Sequence, residues 1–166
     1  MLVSHSANIR YLCGFSGSAG VLLVTASESI LFTDSRYTFQ AREEVADARI
    51  HIAKRGLLRE AGAILKSWRG RTSVAYSSSH LTVAQMEALR AASGGRVRWV
   101  KDASAVETLR AVKDDAEVAA MREVAVLISR VFETAVPAIK PGISELDLAG
   151  RLELSMKRRG ASGPSF

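Results

Sequence analysis

The sequence predicts an α/β (α+β) fold, a mixed sheet flanked by helices, followed by a shorter segment of helices alone. Three observations carry this reading. Apolar runs of strand length alternate with amphipathic helical stretches over about the first 100 residues. From Ser104 onward no strand-like run recurs. The composition, 48% hydrophobic and 24% charged in 166 residues, is that of a folded globular chain long enough to build a core without disulfide staples.

The elements follow in order. Residues 20–33, GVLLVTASESILFT, give two apolar runs around a polar tip at 26–29, the pattern of a hairpin. Residues 37–45 suit a short helix and 50–53 a strand. Residues 57–68 place Leu57, Ala61, Ile64, Leu65 and Trp68 on one helical face, closed by Arg69 and Gly70. A buried strand at 74–76, a helix at 82–92 opened by the capping pair Thr82 and Gln85, and a strand at 97–100 complete the alternation. Ser104 and Glu107 form a second capping pair, and the domain boundary is expected there or slightly beyond, giving domains 1–104 and 105–166. Asp114, Asp115 and Glu117 then favour a helix start, because acidic side chains complement the positive end of the helix dipole. That helix spans 115–136. Val118, Met121, Ala125, Ile128, Phe132 and Ala135 recur at steps of three and four, and Val124, Leu127 and Val131 widen the stripe, so packing is expected on more than one side. Pro137, Pro141 and Gly142 end it. Ser144 caps a last helix with Leu148, Ala149, Leu152 and Met156 on its apolar face and Lys157, Arg158, Arg159 and Gly160 at its end.

Charge and cysteine usage exclude several function classes. The net charge is +6, and residues 1–104 carry all of the excess, with 14 Lys/Arg against 8 Asp/Glu. Arg36, Arg42, Arg49, Lys54, Arg55 and Arg59 are scattered among acids and apolar residues, a solvated basic face and no nucleic-acid stripe. No apolar run approaches the length of a membrane span, and residues 1–15 have no signal-peptide pattern. Cys13 has no second cysteine to pair with, which fits a reducing, cytoplasmic setting. It reads as a small buried thiol within a strand end.

Individual candidates for chemistry fall short on spacing. The glycine-rich stretch 14–20 precedes a strand, whereas phosphate-binding loops feed a helix N-terminus. Ser77, Ser78 and Ser79 stand beside His80 without a nucleophile elbow. His5, His51 and His80 show no paired metal-ligand spacing, and the acids of the second segment serve as helix caps. No complete active site is therefore visible.

Four segments, in order, resemble the creatinase, prolidase and aminopeptidase P family, the pita-bread metallopeptidases with an extra N-terminal domain. They are NIRYLCGFSGS at 8–18, with Cys13 at a common threonine position; TDSRY at 33–37, with Ser35 where glycine is preferred; LRAVK at 109–113 with Glu117 and Met121; and Pro141, Gly142, Ser144 and Glu145 followed by Gly160, Ala161, Gly163, Ser165 and Phe166. The resemblance implies a ribonuclease H-like N-terminal domain followed by the first two helices of a pita-bread catalytic domain. It implies a parent Xaa-Pro peptidase, a cytosolic hydrolase that cuts the bond before a proline in the second position of its peptide substrate, using two divalent ions, manganese, zinc or cobalt.

The same resemblance places all five metal ligands and the catalytic histidines beyond the segment ending in Phe166. No metal ligand and no catalytic residue is carried over, and residues 1–166 are expected to bind no divalent metal tightly and to cleave no Xaa-Pro bond. It also implies a helix ahead of Leu2, whose lack would leave part of a sheet face apolar and exposed. The N-terminal domain is implied to build a homodimer and to present side chains to the neighbouring subunit's substrate site. Arg10, Tyr11, Phe15, Asp34, Arg36 and Tyr37 are the candidates. The alternatives are a non-catalytic protein-binding module of the same fold and a creatinase-type amidinohydrolase.

Overall fold

The computed structural model describes residues 1–102 and 104–164. The chain divides into two compact units, Met1–Ala111 and Val112–Phe166.

The first unit is a six-stranded mixed sheet with helices on both faces. Its elements are β1 (Leu2–Val3), α1 (Ser6–Cys13), β2 (Gly20–Val24), β3 (Ser29–Thr33), α2 (Thr38–Glu44), β4 (Arg49–Ile52), α3 (Leu57–Ser67), β5 (Thr72–Tyr76), α4 (Val83–Ser93), β6 (Val97–Lys101) and α5 (Ala105–Ala111). The strand order is β4-β3-β2-β1-β5-β6. The β2–β3 hairpin and the β1–β2 pair are antiparallel, and the other three pairs are parallel.

Alternation along the strands divides the core in two. Leu2, Val21, Leu23, Ile30, Phe32, Val74 and Tyr76 face Ala61 and Leu65 of α3 and Met86 and Leu89 of α4. Val3, Leu22 and Leu31 point the other way, onto Ile9, Cys13, Phe15, Ala41 and Val106. Burial on both faces explains why β2 and β3 read as unbroken apolar runs. At β5 and β6 the second face is less covered: Val100 is 39% exposed and Ala75 half-buried, beside the polar Ser73 and Arg98. The hairpin tip is held by Thr25, whose Oγ1 accepts Ser27 N and Glu28 N and donates to Glu28 O. Thr82 and Gln85 make the expected capping box at α4.

Two local expectations give way to other arrangements. Cys13 ends a helix, not a strand: Ile9 and Cys13 lie four residues apart on the buried side of α1, which Gly14 terminates at φ 82° with its N–H on Arg10 O. At α5, Asp102 accepts Ser104 N and Ala105 N, while Glu107 reaches away to Asn8. The first compact unit runs to Ala111, with Val106 buried against the sheet and Arg110 Nη1 donating to Asn8 Oδ1 at 2.7 Å.

The second unit contains α6 (Asp115–Ala135) and α7 (Glu145–Arg158), joined through a 3-10 turn at Val136–Ala138 that contains Pro137. Asp114 and Glu117 cap α6 reciprocally, and Ser144 Oγ accepts Asp147 N at the start of α7. Of α6 only Val131 and Ala135 are buried, and of α7 no residue is. Met121, Val124, Val126, Ile128 and Phe132 stay exposed. Among the described residues no helix is long and apolar enough to cross a membrane.

Candidate functional site

Four of the six residues singled out in the sequence meet around the loop after α1 and the turn after β3. Asp34 precedes a 3-10 turn (Ser35–Tyr37) and accepts Arg36 N on Oδ1. Its carboxylate also takes both fork nitrogens of Arg36, Nε at 3.0 Å and Nη2 at 2.7 Å, a bidentate pair. The Arg36 guanidinium lies 5.5 Å from the centre of the Tyr37 ring. Tyr37 in turn meets Phe15 edge-on, with ring centres 5.7 Å apart, and its hydroxyl lies 2.6 Å from Ser18 Oγ. Gly17 is required here, since a Cβ would sit 2.3 Å from Phe15 Cζ and 2.8 Å from Tyr37 Cδ1. Ser35 needs no glycine freedom: Asp47 is the one non-glycine with positive φ among the described residues.

Burial separates the members of this group. Phe15 is 1% exposed and anchors the loop, while the Arg36 side chain is 71% exposed and free to meet a ligand. Hydrogen bonds from Arg36 hold the Asp34 carboxyl below its usual range. The cluster suits recognition of a carboxylate or peptide group. Arg10 and Tyr11 lie on α1. Arg10 is exposed and its charge acts on Glu44, whose carboxyl is lowered chiefly by Ser16, which donates through N and Oγ at 2.7 Å each. Tyr11 is 40% exposed.

The remaining titratable candidates have local roles. Cys13 is buried, its thiol donates to Ile9 O, and burial pushes its pKa up, which leaves it unreactive. His51 Nε2 lies 2.5 Å from Glu60 Oε2, and Glu60 Oε1 accepts Lys54 N and Arg55 N. Glu60 thus fixes the entry to α3.

One constellation escaped the sequence reading. His5, His80 and Glu107 each place a donor atom within 4.8 Å of the others. Their separations of 75 and 27 residues obey no ligand-spacing rule; the parallel pairing of β1 with β5 brings the two histidines together, and the hydrogen bond from Asn8 brings Glu107 of α5 to them. The run Ser77 to His80 contributes its imidazole to this group and no nucleophile.

Comparison with known proteins extends the reading. Residues 1–112 match the model of the Creatinase/Prolidase N-terminal domain. The uncharacterized peptidase YqhT of Bacillus subtilis is 30% identical over 166 residues, all of this chain and 46% of that protein. The structure of a Xaa-Pro dipeptidase from Bacillus anthracis superposes with a TM-score of 0.87 at 27% identity, covering 99% of this chain and 46% of that one. The N-terminal domain of the cytoplasmic peptidase PepQ from Mycobacterium tuberculosis H37Rv gives 0.60 at 35% identity, covering 66% of this chain and 85% of that one. The chain spans about half the length of the first two. A two-faced mixed sheet of this order, with the 8–18 and 33–37 segments meeting at one loop cluster, belongs to a chain of the creatinase/prolidase N-terminal domain family.

Proposed function

We propose that residues 1–166 are the N-terminal portion of a Xaa-Pro peptidase of the aminopeptidase P or prolidase type, working in the cytoplasm as a homodimer. In this reading the first unit supports dimerisation and limits substrate length, and the helices of the second open the catalytic domain. The observation that carries it is the match of the whole chain, not the first unit alone, to peptidases about twice its length.

The two divalent ions implied by the family, manganese, zinc or cobalt, would supply activated water to the parent enzyme. A bridged pair needs several carboxylates between ions about 3.5–4 Å apart. The described residues offer one cluster of three donors with a single carboxylate, Glu107, so they do not fit a metal pair. In this reading residues 1–166 are expected to cleave no Xaa-Pro bond on their own. Toward substrate the chain's contribution is recognition. Arg36 retains Nη1 for a peptide carboxylate while Asp34 holds the rest of its fork, and the Tyr37 ring beneath it fixes its height. Both face a neighbouring subunit's site in this reading.

The test is the reading frame across the Phe166 codon and about 200 codons beyond, followed by assay of the encoded protein on a Xaa-Pro dipeptide and a longer Xaa-Pro peptide with manganese. The reading requires a continuation with paired Asp, His and Glu ligands and hydrolysis before proline. A stop after Phe166, or a continuation that leaves these peptides intact, contradicts it.

A further inference from the structure

Three segments distant in sequence meet in the first unit. His5 occupies the junction of β1 and α1, His80 the turn between β5 and α4, and Glu107 the first turn of α5. The two imidazoles stack with centroids 3.9 Å and planes 5° apart, and His80 Nε2 lies 3.9 Å from Glu107 Oε1. The framework around them is fixed. Asn8, 2% exposed, donates to Glu107 Oε1 at 2.7 Å and accepts from Arg110 at 2.7 Å, and Ser4 Oγ donates to the His80 carbonyl. Two polar atoms lining the same small cavity, His5 Nδ1 and Ser77 Oγ, are buried without a hydrogen-bond partner.

We propose that His5, His80 and Glu107 form a three-ligand site for one borderline divalent ion, zinc foremost, with a fourth position open to water. Two imidazole nitrogens and a carboxylate are the donor set that zinc, cobalt(II) and nickel(II) prefer over magnesium or calcium. Asn8 supplies the outer hydrogen bond that orients a ligating carboxylate.

Stacked parallel rings cannot both aim an in-plane lone pair at one ion, so binding turns one ring out of the stack. His80 is the ring that turns, being exposed on a turn, whereas His5 is half-buried with its Nδ1 enclosed. The donor atoms then close from within 4.8 Å to about 3.3 Å of one another, the spacing set by metal–ligand bonds of about 2.0–2.2 Å. The ion would join β1, the β5–α4 turn and α5. The expectation of no tight metal binding rested on the family's ligands falling beyond Phe166 and on histidine spacing along the chain, and this site depends on neither.

The test is calorimetric titration of the tag-free 166-residue chain with zinc at pH 7.5, with cobalt(II) absorption as a second readout. One ion per chain is expected, with a higher melting temperature when zinc is present. His80→Gln and Glu107→Gln, checked for folding by circular dichroism, should each weaken binding tenfold or more and abolish the zinc-dependent rise in melting temperature. His51→Gln should leave both unchanged. Absence of stoichiometric binding, or binding equally tight in both variants, overturns the proposal. The outcome is independent of the peptidase reading, whose metal ligands lie outside this chain.

Discussion

The two units treat the same kind of residue in opposite ways. In Met1–Ala111, apolar side chains of β2 and β3 alternate between two faces and each face finds a helix layer, so Leu22, Leu23, Ile30, Leu31 and Phe32 are all fully buried. In Val112–Phe166, an equally regular stripe on α6 leaves Met121, Val124, Ile128 and Phe132 about half exposed or more. Helical periodicity states that a face is apolar; whether the chain itself supplies its cover is a separate matter. The sheet unit supplies its own cover and the helical unit does not, which supports the reading of α6 and α7 as part of a larger domain.

Substitutions sharpen this contrast, and the largest effect is expected in the sheet. Phe32→Ala removes a fully buried ring and should cost about 3–5 kcal/mol in urea unfolding, whereas Phe132→Ala, at an exposed position, should stay within about 0.5 kcal/mol. Equal losses at both positions would break the comparison. Gly14→Ala comes next, because it forces alanine to φ 82° with a Cβ 2.5 Å from Glu44 O. A loss above about 1 kcal/mol is expected by the same unfolding measurement.

Acidification probes the sheet unit through Glu60. The Glu60 carboxyl is lowered, chiefly by its hydrogen bond from His51. A carboxyl depressed in the folded state adds stability above its unfolded value, about 4.5, and gives it up as pH falls through the lower folded value. Melting temperatures should therefore drop below about pH 4.5, and Glu60→Gln should flatten that acid limb; an unchanged slope would show that Glu60 contributes nothing. The smallest effect is expected for Arg36→Ala. Its exposed pair with Asp34 should change stability by less than about 0.5 kcal/mol, a result that separates ligand recognition from folding.

Local patterns made most of the fold legible. The hairpin, the capping box at Thr82 and the α6 start at Asp114 depend on neighbours within a few residues, and each lies where its pattern places it. The segment around Cys13 misled because Asn8 is a buried polar residue on an otherwise apolar helix face, bonded to Glu107 and Arg110 about 100 positions away. Those bonds also carry the first unit to Ala111. The Asp34, Arg36 and Tyr37 cluster was legible as a motif, since its bonds span two or three residues. The stacking of His5 on His80 was not, because it depends on a single parallel strand pairing. Ser165 and Phe166, the end of the fourth family segment, lie outside the described residues.

Hydrogen exchange on the 166-residue chain tests the central contrast most directly. Amides of β2 and β3 should exchange only through global unfolding, and those in the middle of α6 at least about tenfold faster through local opening. Protection of α6 and α7 as complete as that of the sheet would mean that the helical unit has a closed core of its own, contradicting its reading as an uncovered part of a larger domain.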